Sequence, residues 1–144
     1  IMKADVTTRN DFVGVFPSDG LPKRLEKRPA CFIANKDVYG KPGQNWVAFY
    51  IPEIGPLEFF DSIGCHPRQY SVNFVRFLKR HRHAFIYNIK QIQASDSPVC
   101  GPHILPHAQM RGFSLASIVN HFGSDKDENA EKVAEFVQEL ISRF

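Results

Sequence analysis

The sequence predicts an α+β domain in which a small, mostly antiparallel sheet is packed by helices. Three short apolar runs separated by turn residues indicate strands, at Ala30–Asn35, Trp46–Ile51 and Leu57–Ser62. The second half of the chain contains segments with apolar residues at helical spacing. The length of 144 residues and the lack of an internal repeat predict one domain that spans residues 1–144.

The N-terminal half supplies these strands and one shorter element. Phe12–Asp19 (FVGVFPSD) predicts a short helical turn that is closed by Pro17. The turn sequence PEIGP joins the second and third predicted strands, and this predicts an antiparallel hairpin.

Helices follow in the second half. Ser71 can cap a helix that runs to about Arg82 and has its apolar residues on one face. Ala84–Gln93 predicts a fourth strand. Ser114 caps the next predicted helix, and the last helix begins at a cap formed by Ser124 or Asp125.

Composition limits the classes of function. The net charge of +3 permits acidic partners but does not require nucleic acid. No apolar run approaches the length of a membrane span, so no membrane partner is predicted. Three cysteines without a CxxC pair argue against a disulfide framework and a zinc site, and no metal or other cofactor is expected. Without a signal-peptide pattern, we expect an intracellular location, cytoplasmic or nuclear.

A polar loop that ends at Cys100 and Gly101 indicates a nucleophile. A thiol at a helix N-terminus is more readily ionised, and the thiolate is the reactive form. Gly101 lets a substrate backbone approach closely. Gln93 could donate its side-chain amide to an oxyanion, and Asp61 could orient a base. Each also has an ordinary reading: Asp61 as a turn residue, Gln93 as a polar strand end and Cys100 as a structural thiol.

Taken in order, the stretches NWVAFYI, LEFFDS, Gln93 and VCG resemble the adenovirus-type cysteine protease family. The similarity is greatest to the proteases of Polinton (Maverick) transposons and related viruses, and the ubiquitin-like-modifier proteases are related to them. FVGVFPSDGLP and RGFSLASIVNHF extend the resemblance over nearly the whole chain. It implies a papain-like fold, a polypeptide substrate, the catalytic residues Cys100, Gln93 and Asp61, and a substrate groove at Trp46 and Gly101.

The same resemblance implies a catalytic histidine immediately before Trp46, where this chain has Asn45. An amide neither accepts the thiol proton nor returns it to the leaving amine. Asn45 can still form a hydrogen bond, so we expect the geometry to be kept and the activity to be impaired or absent. His66, His103 and His107 are the candidate substitutes, and such a base must reach within about 3 Å of the sulfur.

The segment after Cys100 also departs from the family pattern. It reads CGPHILPHAQMRG, in which Pro102 is compatible with a first helical turn. Pro106 would fall in the helix interior, where proline costs about 3 kcal/mol. We therefore expect the helix that carries the nucleophile to be shortened or distorted.

Basic residues cluster on the helix that follows Ser71: Arg76, Lys79, Arg80 and Arg82. A solvated helix face is the ordinary reading, and a patch for DNA or another acidic partner is the alternative. The sequence thus leaves three hypotheses: an impaired transposon- or viral-type endopeptidase, a non-catalytic module that keeps the substrate groove, and a basic DNA-associated domain. The oligomeric state stays open.

Overall fold

The computed structural model describes residues 10–37, 40, 45–81, 84–95 and 112–142, without the side chain of Leu140. Three of the predicted site residues lie outside the described residues: Cys100, Gly101 and Arg82. The predicted nucleophile-bearing helix, with Pro106, and two of the candidate substitute bases, His103 and His107, lie outside them as well.

Within the described residues, five strands form one mixed sheet whose spatial order follows the chain. They are β1 (Phe12–Phe16), β2 (Ala30–Asn35), β3 (Trp46–Ile51), β4 (Leu57–Phe60) and β5 (Phe85–Tyr87). β3 pairs antiparallel with β4, as the PEIGP turn predicts, and also with β2, whereas β1 and β5 pair in parallel with β2 and β4. The α+β class is confirmed, and the parallel pairings are confined to the two edges.

The helical turn predicted at Phe12–Asp19 is wrong, because its first half is strand β1. The side chains of β1 alternate between partly buried and exposed, with Val13 and Val15 exposed by 40% and 52%. Valine and phenylalanine favour strands, but the pairing with β2 shifts register near Gly14. The alternation is therefore short and interrupted, and the sequence alone does not reveal it.

The three predicted helices are present among the described residues as α1 (Val72–His81), α2 (Leu115–Asn120) and α3 (Lys126–Ile141). Ser114 caps α2, since its hydroxyl accepts the Ser117 backbone N–H at 3.2 Å. Asp125 caps α3 by accepting the N–H groups of Asp127 and Glu128 at 2.9 and 3.1 Å. No helix in this part of the chain is both long and apolar enough to cross a membrane.

The helices cover both faces of the sheet. On one face α1 packs against an aromatic cluster centred on Phe49, whose ring lies 4.7 Å from that of Phe32 and 5.1 Å from that of Phe59. The opposite face is covered by α2 and α3, which contribute Leu115, Ile118, Val119 and Val133. Burial of these apolar and aromatic side chains on both faces contributes much of the free energy that stabilises the folded sheet.

Candidate functional site

One end of the sheet brings together three of the predicted site residues: Asn45, Asp61 and Gln93. Ala48 lies opposite Phe60 in the antiparallel β3–β4 ladder, so the start of β3 neighbours the end of β4. The backbone N–H of Gln93 donates to the carbonyl oxygen of Ser62 at 3.1 Å, directly after Asp61. Residues from three separate segments therefore meet at this end.

Asp61 is buried, with 1% exposure, and its carboxylate organises the turn after β4. Oδ1 accepts the backbone N–H of Ile63 at 3.2 Å, and Oδ2 accepts that of Cys65 at 2.9 Å. The phenol of Tyr70 also donates to Oδ2. These bonds match the ordinary reading of a strand-end Asp as a turn residue. Its role in orienting a base stays a prediction.

Asn88 fixes the backbone of Asp61. Its Oδ1 accepts the Asp61 N–H at 2.9 Å, and its Nδ2 donates to the Asp61 carbonyl at 2.6 Å and to the Lys90 carbonyl at 3.2 Å. Strand β5 ends at Tyr87, short of the predicted Gln93. A side chain thus continues the pairing where the β4–β5 ladder stops.

Three residues that the sequence did not indicate as a group lie near Asp61: Cys65 and Tyr70 contact its carboxylate, and Lys36 contacts the Tyr70 ring. Lys36 Nζ lies 3.8 Å from the centroid of the Tyr70 ring, in a cation–π contact. Burial lowers the pKa of Lys36, and the nearby charges of Asp61, Cys65 and Asp37 oppose that change. Burial and the hydrogen bonds to Asp61 and Cys65 raise the pKa of Tyr70, so its phenol stays protonated and donates.

Gln93 is buried at 1% exposure, and its segment is held by α3. Asn129 Nδ2 donates to the Ile92 carbonyl at 2.9 Å, and Lys126 Nζ donates to the Gln91 carbonyl at 2.6 Å. Gln91 Nε2 in turn donates to the Gln93 carbonyl at 2.8 Å. Helix α3 therefore positions Gln93, the residue that is predicted to donate its amide to an oxyanion.

Asn45 is exposed, and its backbone carbonyl accepts the Lys36 N–H at 3.0 Å. The next residue, Trp46, is partly buried and packs against the core on the side of α2 and α3. Trp46 is thus partly a core residue, and its contribution to a substrate groove stays a prediction.

His66, one of the candidate substitute bases, is engaged in local structure. It precedes a 3₁₀ turn (Pro67–Gln69), and its Nδ1 accepts the backbone N–H of Arg68 at 3.0 Å. Its ring centroid lies 4.8 Å from that of Tyr87. Nδ1 of His66 therefore already accepts a hydrogen bond and is not free to take a proton from a thiol.

The basic face of α1 is solvent-exposed at Arg76, Lys79 and Arg80. No acidic residue lies in the first turn of this helix. Among the described residues, no group of three or more histidine, cysteine or acidic side chains is arranged to hold a metal ion.

No protein-family model and no curated protein matches the sequence. Among solved structures, the chain is similar to the selenomethionine crystal structure of the ASFV pS273R protease, with a TM-score of 0.52 and 22% sequence identity. The match covers 72% of this chain and 43% of that protease, so the chain spans less than half of its length. The chain has the α+β fold of a papain-like cysteine protease.

Proposed function

We propose that this chain is a cysteine endopeptidase-like domain of the transposon or viral (adenovirus protease) type that lacks its catalytic base. The observation that carries the proposal is the convergence of positions 45, 61 and 93 at one end of a sheet with a protease fold. Three segments far apart in the chain meet there, and the resemblance assigns to them the base position, an acid and an oxyanion donor. The polypeptide substrate class follows from the same resemblance.

In this proposal Cys100 is the nucleophile, whose sulfur forms a bond to the scissile carbonyl carbon. The amide of Gln93 donates to the oxyanion that develops on the carbonyl oxygen. Asp61 would orient the base, and Asn45 fills the base position without being able to take the thiol proton. Without that base only a few per cent of an ordinary thiol is thiolate near neutral pH, so the activity is impaired or absent.

A peptide with a cysteine-reactive electrophile tests this assignment. The site and rate of labelling are measured by mass spectrometry in the natural chain and in Asn45→His, with Cys31 and Cys65 as internal reference thiols. We expect Cys100 to be labelled at least about tenfold faster in Asn45→His, because a positioned base contributes roughly 10²–10⁴-fold when fully aligned. A folded Asn45→His variant that is no more reactive would show that position 45 is not the base position.

A non-catalytic module that keeps the substrate groove is the second candidate. The observation in its favour is that the Asp61 carboxylate accepts three hydrogen bonds, from Ile63, Cys65 and Tyr70, within its own turn region. Under this function the same peptide without its electrophile binds equally well to the natural chain and to Cys100→Ala. Loss of all binding in Cys100→Ala would count against it.

The exposed basic face of α1 supports a third candidate, binding to DNA. Phosphate contacts release counterions, so retention of the chain on duplex DNA should weaken as salt increases. Each of Arg76→Gln, Lys79→Gln and Arg80→Gln should lower the salt slope by about 1 if that side chain contacts a phosphate. Retention that is independent of salt would rule this function out.

A further inference from the structure

Lys36 lies immediately after β2, next to the proposed base position. Its backbone N–H donates to the Asn45 carbonyl at 3.0 Å, which continues the β2–β3 ladder by one pair. The pair two positions earlier in the ladder, Ala34 and Val47, belongs to the cluster on the α1 side of the sheet. Because side chains alternate along strands and paired residues share a face, positions 36 and 45 both belong to the α1 side.

The side chain of Lys36 extends across the end of β3 toward Asp61. β3 lies between β2 and β4, and neighbouring strands are about 4.8 Å apart, so the backbone of Lys36 is about two strand spacings from the end of β4. Its ammonium nevertheless lies 3.8 Å from the centroid of the Tyr70 ring, and the Tyr70 hydroxyl donates to Asp61. The Lys36 side chain therefore crosses the end of β3 on the α1 side of the sheet, the side to which position 45 also belongs.

Tyr70 connects the two charges. Its ring face attracts the Lys36 ammonium, and its hydroxyl donates to the Asp61 carboxylate. Within the described residues, Asp61, Cys65 and Asp37 act on Lys36, and each favours its ammonium form, whereas burial opposes it. The arrangement is that of a cation and an anion held on either side of one phenol.

We propose that Lys36 acts through Tyr70 as the cation that balances Asp61 in this chain, on the face from which a histidine at position 45 would approach the carboxylate. The inference rests on the proposed function, since it takes position 45 as the base position. Lys36 is a positioning residue: it acts through Tyr70 and Asp61 and forms no bond to a substrate. An imidazole introduced at position 45 meets an ammonium beside its acid, and this limits how far Asn45→His alone restores the acid–base pair.

The experiment measures the imidazole introduced by Asn45→His directly. Its pKa is followed by NMR titration as the one resonance added to the histidine spectrum of the natural chain. We expect a pKa at or below the ordinary value of about 6.5 in Asn45→His, and a rise of about one unit in Asn45→His/Lys36→Met, because the ammonium that opposes protonation is removed while Asp61 remains. Lys79→Met, which removes an exposed lysine from α1, serves as the matched control and should leave the pKa unchanged.

The same imidazole pKa with and without Lys36 would overturn the inference. Lys36→Gln provides a second, polar replacement and should raise the pKa as Lys36→Met does, whereas Lys36→Arg keeps the charge and should keep the pKa low. If the imidazole pKa rises but Cys100 labelling responds neither to Asn45→His nor to Asn45→His/Lys36→Met, the proposed function fails and the Lys36–Asp61 pair stands. If labelling responds and the pKa does not move, the pair alone fails.

Discussion

Glu58 lies in the middle of β4, where its Oε2 is buried and has no hydrogen-bond partner in the described part of the chain. Burial raises the pKa of Glu58 from 4.5 to about 7, and a hydrogen bond from the backbone N–H of Leu115 opposes only part of that rise. Tyr50 lies opposite Glu58 in the β3–β4 ladder, and burial raises the pKa of its phenol too. The folded protein therefore holds this carboxyl group in its neutral form under mildly acidic conditions.

The direction of the effect on stability follows from proton binding. The unfolded chain ionises this carboxyl near pH 4.5 and the folded chain near pH 7. Between these values the folded state binds more protons, so the free energy of unfolding falls as pH rises through the window and then levels off. A rise from 4.5 to about 7 corresponds to about 3.4 kcal/mol. Because Glu58 is partly exposed and solvent screens its charge, we expect about 1.5 kcal/mol.

Glu58→Gln removes the titration and keeps the shape of the side chain. Urea denaturation should show Glu58→Gln to be about 1.5 kcal/mol more stable than the natural chain at about pH 8, and nearly equal to it at about pH 4.5. Glu53→Gln, at an exposed position in the β3–β4 turn, is the control and should show no such divergence. The same stability difference for Glu58→Gln at both pH values would refute the reasoning.

Further substitutions test the loops around the site. Gly64→Ala should cost about 3 kcal/mol in urea denaturation, because φ is +79° and an added Cβ would lie 2.7 Å from the Ile89 carbonyl oxygen. Gly55→Ala, at φ +104° in open space, is the control and should cost about 1 kcal/mol. Equal costs for the two substitutions would contradict this explanation. Asn129→Ala should cost about 3 kcal/mol by the same measurement, because a fully buried side chain loses three hydrogen bonds, and a cost below about 1 would argue against that role. Tyr70→Phe should lower the free energy of unfolding by about 1–2 kcal/mol, and an unchanged thermal midpoint would show that the bond to Asp61 contributes little.

The central strands and the helix starts could be predicted because local sequence determines them. β2 begins with five consecutive apolar residues and is buried along its whole length, and the PEIGP turn joins β3 to β4 as a hairpin. Ser114 and Asp125 form the expected caps within their own first turns. Strand β1 depends instead on its parallel pairing with β2. Its alternation covers five residues and is interrupted at Gly14, so it is too short to predict that pairing.

The residues of the candidate site likewise divide into those that local sequence indicates and those that only the fold brings together. Asp61 directly follows β4 and Gln93 lies in the loop after β5, and both belong to motifs that the resemblance covers, so the sequence pointed to them. Lys36 and Tyr70 were missed because their contact joins residues on different elements across the sheet, and no spacing pattern encodes it. Asn129 reads as an ordinary polar residue of a helix start, yet it is completely buried because the loop before Gln93 folds over it.

The bonds from α3 to the Gln93 segment also affect how the protein opens. Asn129 and Lys126 hold the carbonyl groups of Ile92 and Gln91, so α3 cannot detach without releasing that segment as well. The two regions should therefore exchange their amide hydrogens as one cooperative unit, although they lie far apart in the chain. A partner that binds and steadies α3 would lower the free energy of the ordered Gln93 segment by the same linkage, and would thereby act on the candidate site without touching it.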